Sequence, residues 1–397
     1  MADIPCGARR TSAYASRSPR RKGRLDPTHL KHSCLLPAHR ADKALLAETH
    51  APFVLTFGAV PAEYEAAQTR AVVFDQTERE LVAVTGAEAA TFLHRLLAND
   101  VRALTPGNGN RNLLLSSKGK VLFDFDLAVE AERITLSTPS GTAAGLLKAL
   151  DTYHFSEKLT LRDLSAEHAP LALCGPQAAA IVARVTGVTT PLADHAHALG
   201  TFDRAAVNVT ALPIAGSAGF RVDAGPSRAE KLWRALREAG AQPAGRIAYD
   251  SLRVEAGAAE FGVDIDDNIY PQEARLERGF SLAKGCYIGQ EVVAKIDTYG
   301  GLNKRLVALK ISHDEPVPRG ARLFQLDDGE WRDLGIVTSW AYSFALDSGL
   351  ALAYVKRRHQ AAGTRFRIGD AERALGEATI VPLPARRGAL APSGDFE

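Results

Sequence analysis

The sequence predicts an α+β fold that closes with a separate all-β domain. Three observations carry this. Between about residue 53 and residue 299, period-two strand patterns interleave with helical stripes. After Gly300-Gly301 the helical stripes stop: Val307, Leu309 and Ile311 alternate, as do stretches around 334–340, 350–355 and 379–381, punctuated by Pro316, Pro318, Gly320, Gly329 and Gly349. A length of 397 residues is enough for two or three domains.

Taken in order, Leu81-Val82-Ala83-Val84 reads as a strand, and Thr85-Gly86 opens a helix through Asn99 with Phe92, Leu93, Leu96 and Leu97 as its stripe. Asn112-Leu113-Leu114-Leu115 and residues 121–129 flank Ser116-Ser117-Lys118-Gly119 as a β-hairpin. In its second strand Val121, Phe123, Phe125, Leu127 and Val129 share one face, which puts Asp124 and Asp126 together on the other. Residues 141–153 read as a helix. Leu171-Ala172-Leu173-Cys174 reads as a strand that turns at Gly175-Pro176 into a helix from Gln177, and Gly219-Phe220-Arg221-Val222 as another strand. Ser227-Arg228-Ala229-Glu230 has the form of a capping box opening a helix with Leu232, Trp233 and Leu236 inside. A further helix, 246–256, is closed by Gly257. Residues 258–283 have little periodicity and many acids, a long loop of the kind that builds a site. Residues 300–385 form the β domain, a barrel or sandwich, and 386–397 a polar tail.

The composition is that of an ordinary globular chain, 46% hydrophobic and 24% charged, with no apolar run long enough to span a membrane. The formal charge of +2 hides an asymmetry: residues 1–50 hold ten Lys+Arg against four Asp+Glu, and the rest 38 against 42. The acidic body argues against direct nucleic-acid binding. The basic, Ser-rich 1–50 segment reads as a disordered tail, either an organelle transit peptide or a start codon assigned too early, with order beginning near Phe53. A mitochondrial matrix location follows if the chain is eukaryotic, a cytoplasmic one if it is bacterial. None of Cys6, Cys34, Cys174 and Cys286 lies near another, so neither a zinc site, an iron–sulfur cluster held by this chain alone, nor a disulfide framework is expected. His195-x-His197 lacks partner spacing, and no metal site is expected there.

The chemically densest stretch is Lys284-Gly285-Cys286-Tyr287-Ile288-Gly289-Gln290-Glu291. Its two glycines suggest a turn with positive φ or close backbone approach. Gly289-Gln290-Glu291 reads as a helix entry with an acid in the first turn. Cys286 then stands just ahead of a helix N-terminus with Lys284 two residues away, features that favour a thiolate. The bland reading is a small buried hydrophobe in a tight loop.

Ala248-Tyr249-Asp250-Ser251-Leu252-Arg253-Val254-Glu255-Ala256-Gly257 resembles the D-x-L-R-x-E-A-G segment of the glycine-cleavage T-protein (aminomethyltransferase) superfamily. The 284–291 stretch resembles the signature of its YgfZ branch, whose eukaryotic relatives are mitochondrial iron–sulfur assembly factors. Asn303-Lys304-Arg305 and Leu334-Gly335-Ile336-Val337-Thr338-Ser339 match that branch as well. The likeness covers roughly residues 53–382. It implies a three-lobed fold around a central folate channel with a C-terminal β-barrel, and tetrahydrofolate or a derivative as cofactor. Residue by residue, it implies that Asp124 faces the reactive part of the folate with Asp126 as fallback, that Arg253 contacts folate, that Glu255 orients Arg253 or a loop, and that Asn112 lines the channel. Where T-proteins carry two glutamates in a T-G-E-D-G-F-E type segment, this chain has Ser217 and Arg221, which puts T-protein-style pterin reading in question. The leading expectation is therefore an accessory factor for assembly or repair of iron–sulfur proteins, with Cys286 as its functional thiol and assembly proteins or client enzymes as partners. The alternatives are a folate-dependent one-carbon (aminomethyl) transferase and a tRNA-modification-associated protein.

Overall fold

The computed structural model describes residues 30–369 and 373–390. Its elements form two sheet lobes and a barrel. The first lobe is a five-stranded antiparallel sheet in the spatial order Asn108–Leu115, Val121–Val129, Arg133–Thr138, Glu80–Thr85, Thr160–Asp163. One of its faces is covered by the helices Ala89–Leu96 and Ala143–Asp151, whose Phe92, Leu93, Leu96, Leu146 and Leu150 pack on Val82, Phe123, Phe125 and Leu136. The second lobe is a six-stranded mixed sheet ordered His197–Phe202, Ala205–Ile214, Ser217–Asp223, Pro170–Cys174, Val72–Asp75, Gln242–Pro243. The helices Ala178–Thr186 and Pro226–Glu238 bury Ile181, Val182, Leu232, Trp233 and Leu236 against it. Because Val72–Asp75 is a strand of the second sheet and Glu80–Thr85 of the first, the four residues between them cross from lobe to lobe.

The C-terminal part is a closed six-stranded barrel in which Lys304–Ile311 pairs with both Ser348–Lys356 and Ala374–Val381. Strand Ser348–Lys356 is buried at every residue but the last, as a central strand should be. The expected hairpin, the helix Arg246–Ala256 and the barrel are all present. Gly257 ends that helix at φ +73°, a left-handed cap.

Three expectations need correction. The segment before Phe53 is ordered from residue 30: Leu36–Ala41 is a helix and Leu45–Ala47 pairs with Phe53–Thr56. The anchor is His39, fully buried against Trp233, whose Nε2 lies 2.8 Å from Asp75. Residues 1–29, which carry most of the basic charge, lie outside the described part. The supposed capping box at Ser227 is inside the helix, which starts at Pro226. Its proline supplies the preset φ of a first helical position and leaves no amide there for Ser227 to satisfy. The tail from 386 is not wholly polar surface: Arg386 is buried and donates to Leu252 O, Ala215 O and Ser217 Oγ. No helix among the described residues is long and apolar enough to cross a membrane.

Candidate functional site

The two sheets meet along a polar seam. From the first comes the hairpin strand Val121–Val129, whose apolar residues feed the helix-covered core and whose Asp124 and Asp126 face out of it. Arg111, on the neighbouring strand, is the register partner of Asp126 and reaches diagonally to Asp124. Its Nε donates to Asp124 Oδ1 at 2.8 Å and its Nη2 to Oδ2, a two-pronged pair. From the second sheet Arg221 donates Nη1 to Asp126 Oδ2 at 2.8 Å and Nε to Gln76 Oε1 at 3.3 Å. The crossing segment adds Arg79, 3.5 Å from Asp126 and bonded to Ser137.

His195 completes the group. It stands just before the edge strand His197–Phe202, which is tied to the first sheet by His197 N donating to Gly107 O at 2.8 Å. Its ring lies 3.4 Å from Asp126 through Nε2 and 3.0 Å from Asp194 through Nδ1. Burial alone would lower the imidazole pKa, but hydrogen bonds to the two carboxylates push it up to about 9, so the ring is a cation at neutral pH. Burial likewise works to raise the Asp126 carboxyl; Arg221, the His195 hydrogen bond and Arg79 override it and hold it well below the ordinary range. Arg79 is brought down to about 10 by burial and by the neighbouring charge of Arg221.

The resemblance placed Arg253, Glu255 and Asn112 against folate. The structure commits each elsewhere. Arg253 is 2% exposed and its guanidinium is divided among Asp250 at 2.6 Å, Asp264 at 2.9 Å and Ser339 Oγ at 2.9 Å. Thr338 and Ser339 on the barrel also donate to Asp264, each at 2.6 Å, so this network fastens the helix Arg246–Ala256 to the barrel. Glu255 accepts from Tyr64 Oη at 2.6 Å, Ser343 Oγ at 2.7 Å and Ala345 N at 3.1 Å, holding a barrel loop and not Arg253. Asn112 is fully buried, accepts from Asn99 N at 2.9 Å and donates to Asn110 Oδ1 at 3.1 Å. In all three cases the chain needed a partner for a buried polar group, and a neighbour distant in sequence supplied it.

The 284–291 motif lies at the other end of the hairpin. Gly289 has φ +80° and precedes the helix Gln290–Tyr299; a Cβ there would come within 2.5 Å of Ser116 O, in the hairpin turn. This motif glycine is thus required both by its backbone angle and by close approach. Glu291 is exposed and pairs with Lys295 one turn on; Gln290 begins the helix. Tyr287 is buried among Leu113, Leu115 and Val121. Lys284 does not serve the thiol: its Nζ donates to His94 O and Leu97 O at 2.6 Å and to Asn99 O at 3.0 Å, capping the C-terminal end of the helix Ala89–Leu96. Burial lowers its pKa to about 8. Cys286 is exposed, and the bland reading as a buried hydrophobe does not hold. Gly285 has open space around it. From the hairpin turn to Asp124 is about 15 Å along the strand, so thiol and carboxylate share a hairpin without sharing a pocket.

Arg111, Arg79 and Gln76 were not singled out from the sequence. Arg111 carried a signal, an arginine in a strand one residue from Asn112 and opposite an acidic face; Arg79 and Gln76 come to the seam through a crossover that no local pattern announces.

Two family models match the chain: the GCVT N-terminal domain over residues 43–284 and the glycine cleavage T-protein C-terminal barrel domain over residues 304–385. An aminomethyltransferase of Geobacillus kaustophilus is 31% identical over 342 residues, 83% of this chain and 91% of that protein. One from Rippkaea orientalis is 30% identical over 79% of this chain and 85% of its own length. The crystal structure of the glycine cleavage system aminomethyltransferase T from Bartonella henselae superposes with a TM-score of 0.81 at 26% identity, over 91% of this chain and 99% of that one. With two sheet lobes, a closed barrel and both domain models in register with them, the chain belongs to the glycine cleavage T-protein family.

Proposed function

We propose that the chain is a folate-dependent one-carbon transferase of the aminomethyl type, working at the seam around Asp124. The observation that supports this most is the Asp124–Arg111 pair: a carboxylate on a rigid strand, fixed by a two-pronged guanidinium, at the meeting of the two sheets. Tetrahydrofolate is the cofactor of this family, and the donor set fits it. A carboxylate has about four acceptor positions; Arg111 takes two of those on Asp124, which leaves places for the adjacent N–H groups of a pterin edge. Tyr249, beside Phe74, offers an aromatic edge within electrostatic reach of Arg111.

When bound, tetrahydrofolate supplies the nitrogen that accepts the one-carbon unit. Asp124 orients the ring through its N–H groups and puts negative charge where positive charge develops on the transferring carbon. Arg111 fixes the rotamer of Asp124, while the networks of Arg253, Glu255 and Asn112 keep the walls in place. The curated relatives bear the aminomethyltransferase name, which favours this reading over the accessory role that the 284–291 motif first suggests. The test is turnover of tetrahydrofolate to its methylene adduct across a panel of amine donors. Asp124→Asn is expected to lower kcat about 100-fold; tight folate binding with no turnover on any donor would sink the proposal.

A second reading has its own observation: Cys286 is exposed beside a glycine that no neighbour requires to be glycine. In that reading, which follows the YgfZ branch, the protein is a folate-binding accessory factor for iron–sulfur protein maturation. Cys286 contacts a cluster or partner, other ligands coming from elsewhere because one thiol cannot hold a cluster. Cys286→Ala is then expected to keep folate affinity and fail to restore iron–sulfur enzyme activity in a deletion strain. Full restoration removes the thiol role.

A further inference from the structure

The seam holds more cationic donors than its own carboxylates can use. Arg79, Arg111 and Arg221 face Asp124 and Asp126, and His195 adds a fourth cation whose outer nitrogen is met by the half-exposed Asp194. A guanidinium carries five N–H donors. Nη1 of Arg111, Nη2 of Arg221 and Nη1 of Arg79 have no acceptor among the described residues. The adjacent Arg246–Arg253 network lends no negative charge, since its Asp250, Glu260 and Asp264 are engaged by those two arginines. The unused donors point around Asp126, one strand repeat from Asp124.

We infer that Arg221, with Arg79 and His195, forms a receptor for the carboxylate of a small α-amino acid that occupies the seam beside the folate. This rests on the folate reading for the position of Asp124 at the reactive end. Same-face residues two apart on a strand stand about 7 Å from one another. The glutamyl carboxylates of a folate lie farther from its pterin than that, with a whole aminobenzoyl unit between, so a carboxylate at this distance comes from a co-substrate. Arginine suits it because its planar fork matches a carboxylate in two-pronged fashion.

The test is calorimetric titration of the full chain with glycine, N-methylglycine and methylamine, and separately with 5-formyltetrahydrofolate and pteroate, which lacks the glutamyl group. Wild type is expected to bind the two amino acids and not methylamine. Arg221→Gln should weaken amino-acid binding about tenfold or more, as loss of a charge-assisted contact does. Asp126→Asn removes the internal carboxylate that competes for the same donors, and should tighten it. If Arg221→Gln weakens 5-formyltetrahydrofolate but not pteroate, the carboxylate is the folate's own and the amino-acid assignment is overturned. If both variants fold and neither changes any affinity, the receptor is overturned while folate binding stands. Amino acids held through Arg221 by a protein that takes neither pterin would retire the folate reading and keep the receptor.

Discussion

Two arginine clusters lie on either side of Tyr249 and look alike in the sequence. Around Arg253 every strong donor has an acceptor, the guanidinium is 2% exposed, and three carboxylates serve two arginines. Around Asp126 three arginines and a protonated histidine share two carboxylates of the seam, and donors remain. The first is a rivet between helix and barrel; the second has capacity for a ligand. What separates structure from site is therefore the balance of donors and acceptors, and not the residue types or how recognisable the motif is.

The largest effect is expected at the rivet. Arg253→Ala leaves Asp250 and Asp264 buried without their cation, and breaking a buried pair in this way costs about 3–5 kcal/mol. Urea unfolding should show this loss, while the affinity of the remaining folded fraction for folate stays within about twofold, a margin well below the tenfold that 1.4 kcal/mol represents. The same substitution logic at the seam should invert the outcome. Asp124→Asn is expected to shift stability by less than about 1 kcal/mol, because Arg111 is partly solvated, yet to lower turnover about 100-fold. A seam variant that unfolds the protein while leaving kcat intact would erase the distinction.

His195 gives the comparison a pH axis. Its folded pKa of about 9 lies above the unfolded value near 6.5. Its stabilising contribution is therefore complete below about pH 6.5 and is lost as pH rises toward 9. With the 3.4 Å contact to Asp126 longer than an ideal hydrogen bond, about 1–3 kcal/mol is expected to disappear over that window. His195→Asn should flatten the slope of unfolding free energy between pH 6.5 and 9, and an unchanged slope would assign the charge on the ring elsewhere.

Much of this was legible beforehand, for reasons that differ by element. The hairpin and the helix Arg246–Ala256 follow from local period and a glycine cap, so their faces, and with them the outward pairing of Asp124 and Asp126, could be read. The residues 30–50 could not: their order depends on His39 reaching Asp75 and Trp233, contacts made across long sequence separations. The D-x-L-R-x-E-A-G resemblance located an important arginine but not its job, because Asp264 and Ser339, which claim it, lie in a loop of weak periodicity and on the barrel. Arg221 stood out only as a departure; that it neutralises Asp126 became visible once two sheets were brought together.

The smallest expected effects sit in the 284–291 loop, where two glycines five positions apart have opposite reasons to exist. Gly289→Ala forces a Cβ to within 2.5 Å of Ser116 O at φ +80°, so it should destabilise by more than about 1 kcal/mol and disturb the hairpin turn. Gly285→Ala meets nothing within 4 Å and has no left-handed backbone angle, so its stability should stay within about 0.5 kcal/mol of wild type. If the thiol of Cys286 makes a functional contact, the methyl group beside it is the least disruptive probe available: unchanged melting and folate affinity with impaired rescue of iron–sulfur enzymes would mean that a partner approaches this backbone closely. Unchanged rescue by both Gly285→Ala and Cys286→Ala would leave the loop as a hinge between hairpin and barrel, and the seam alone would carry the function.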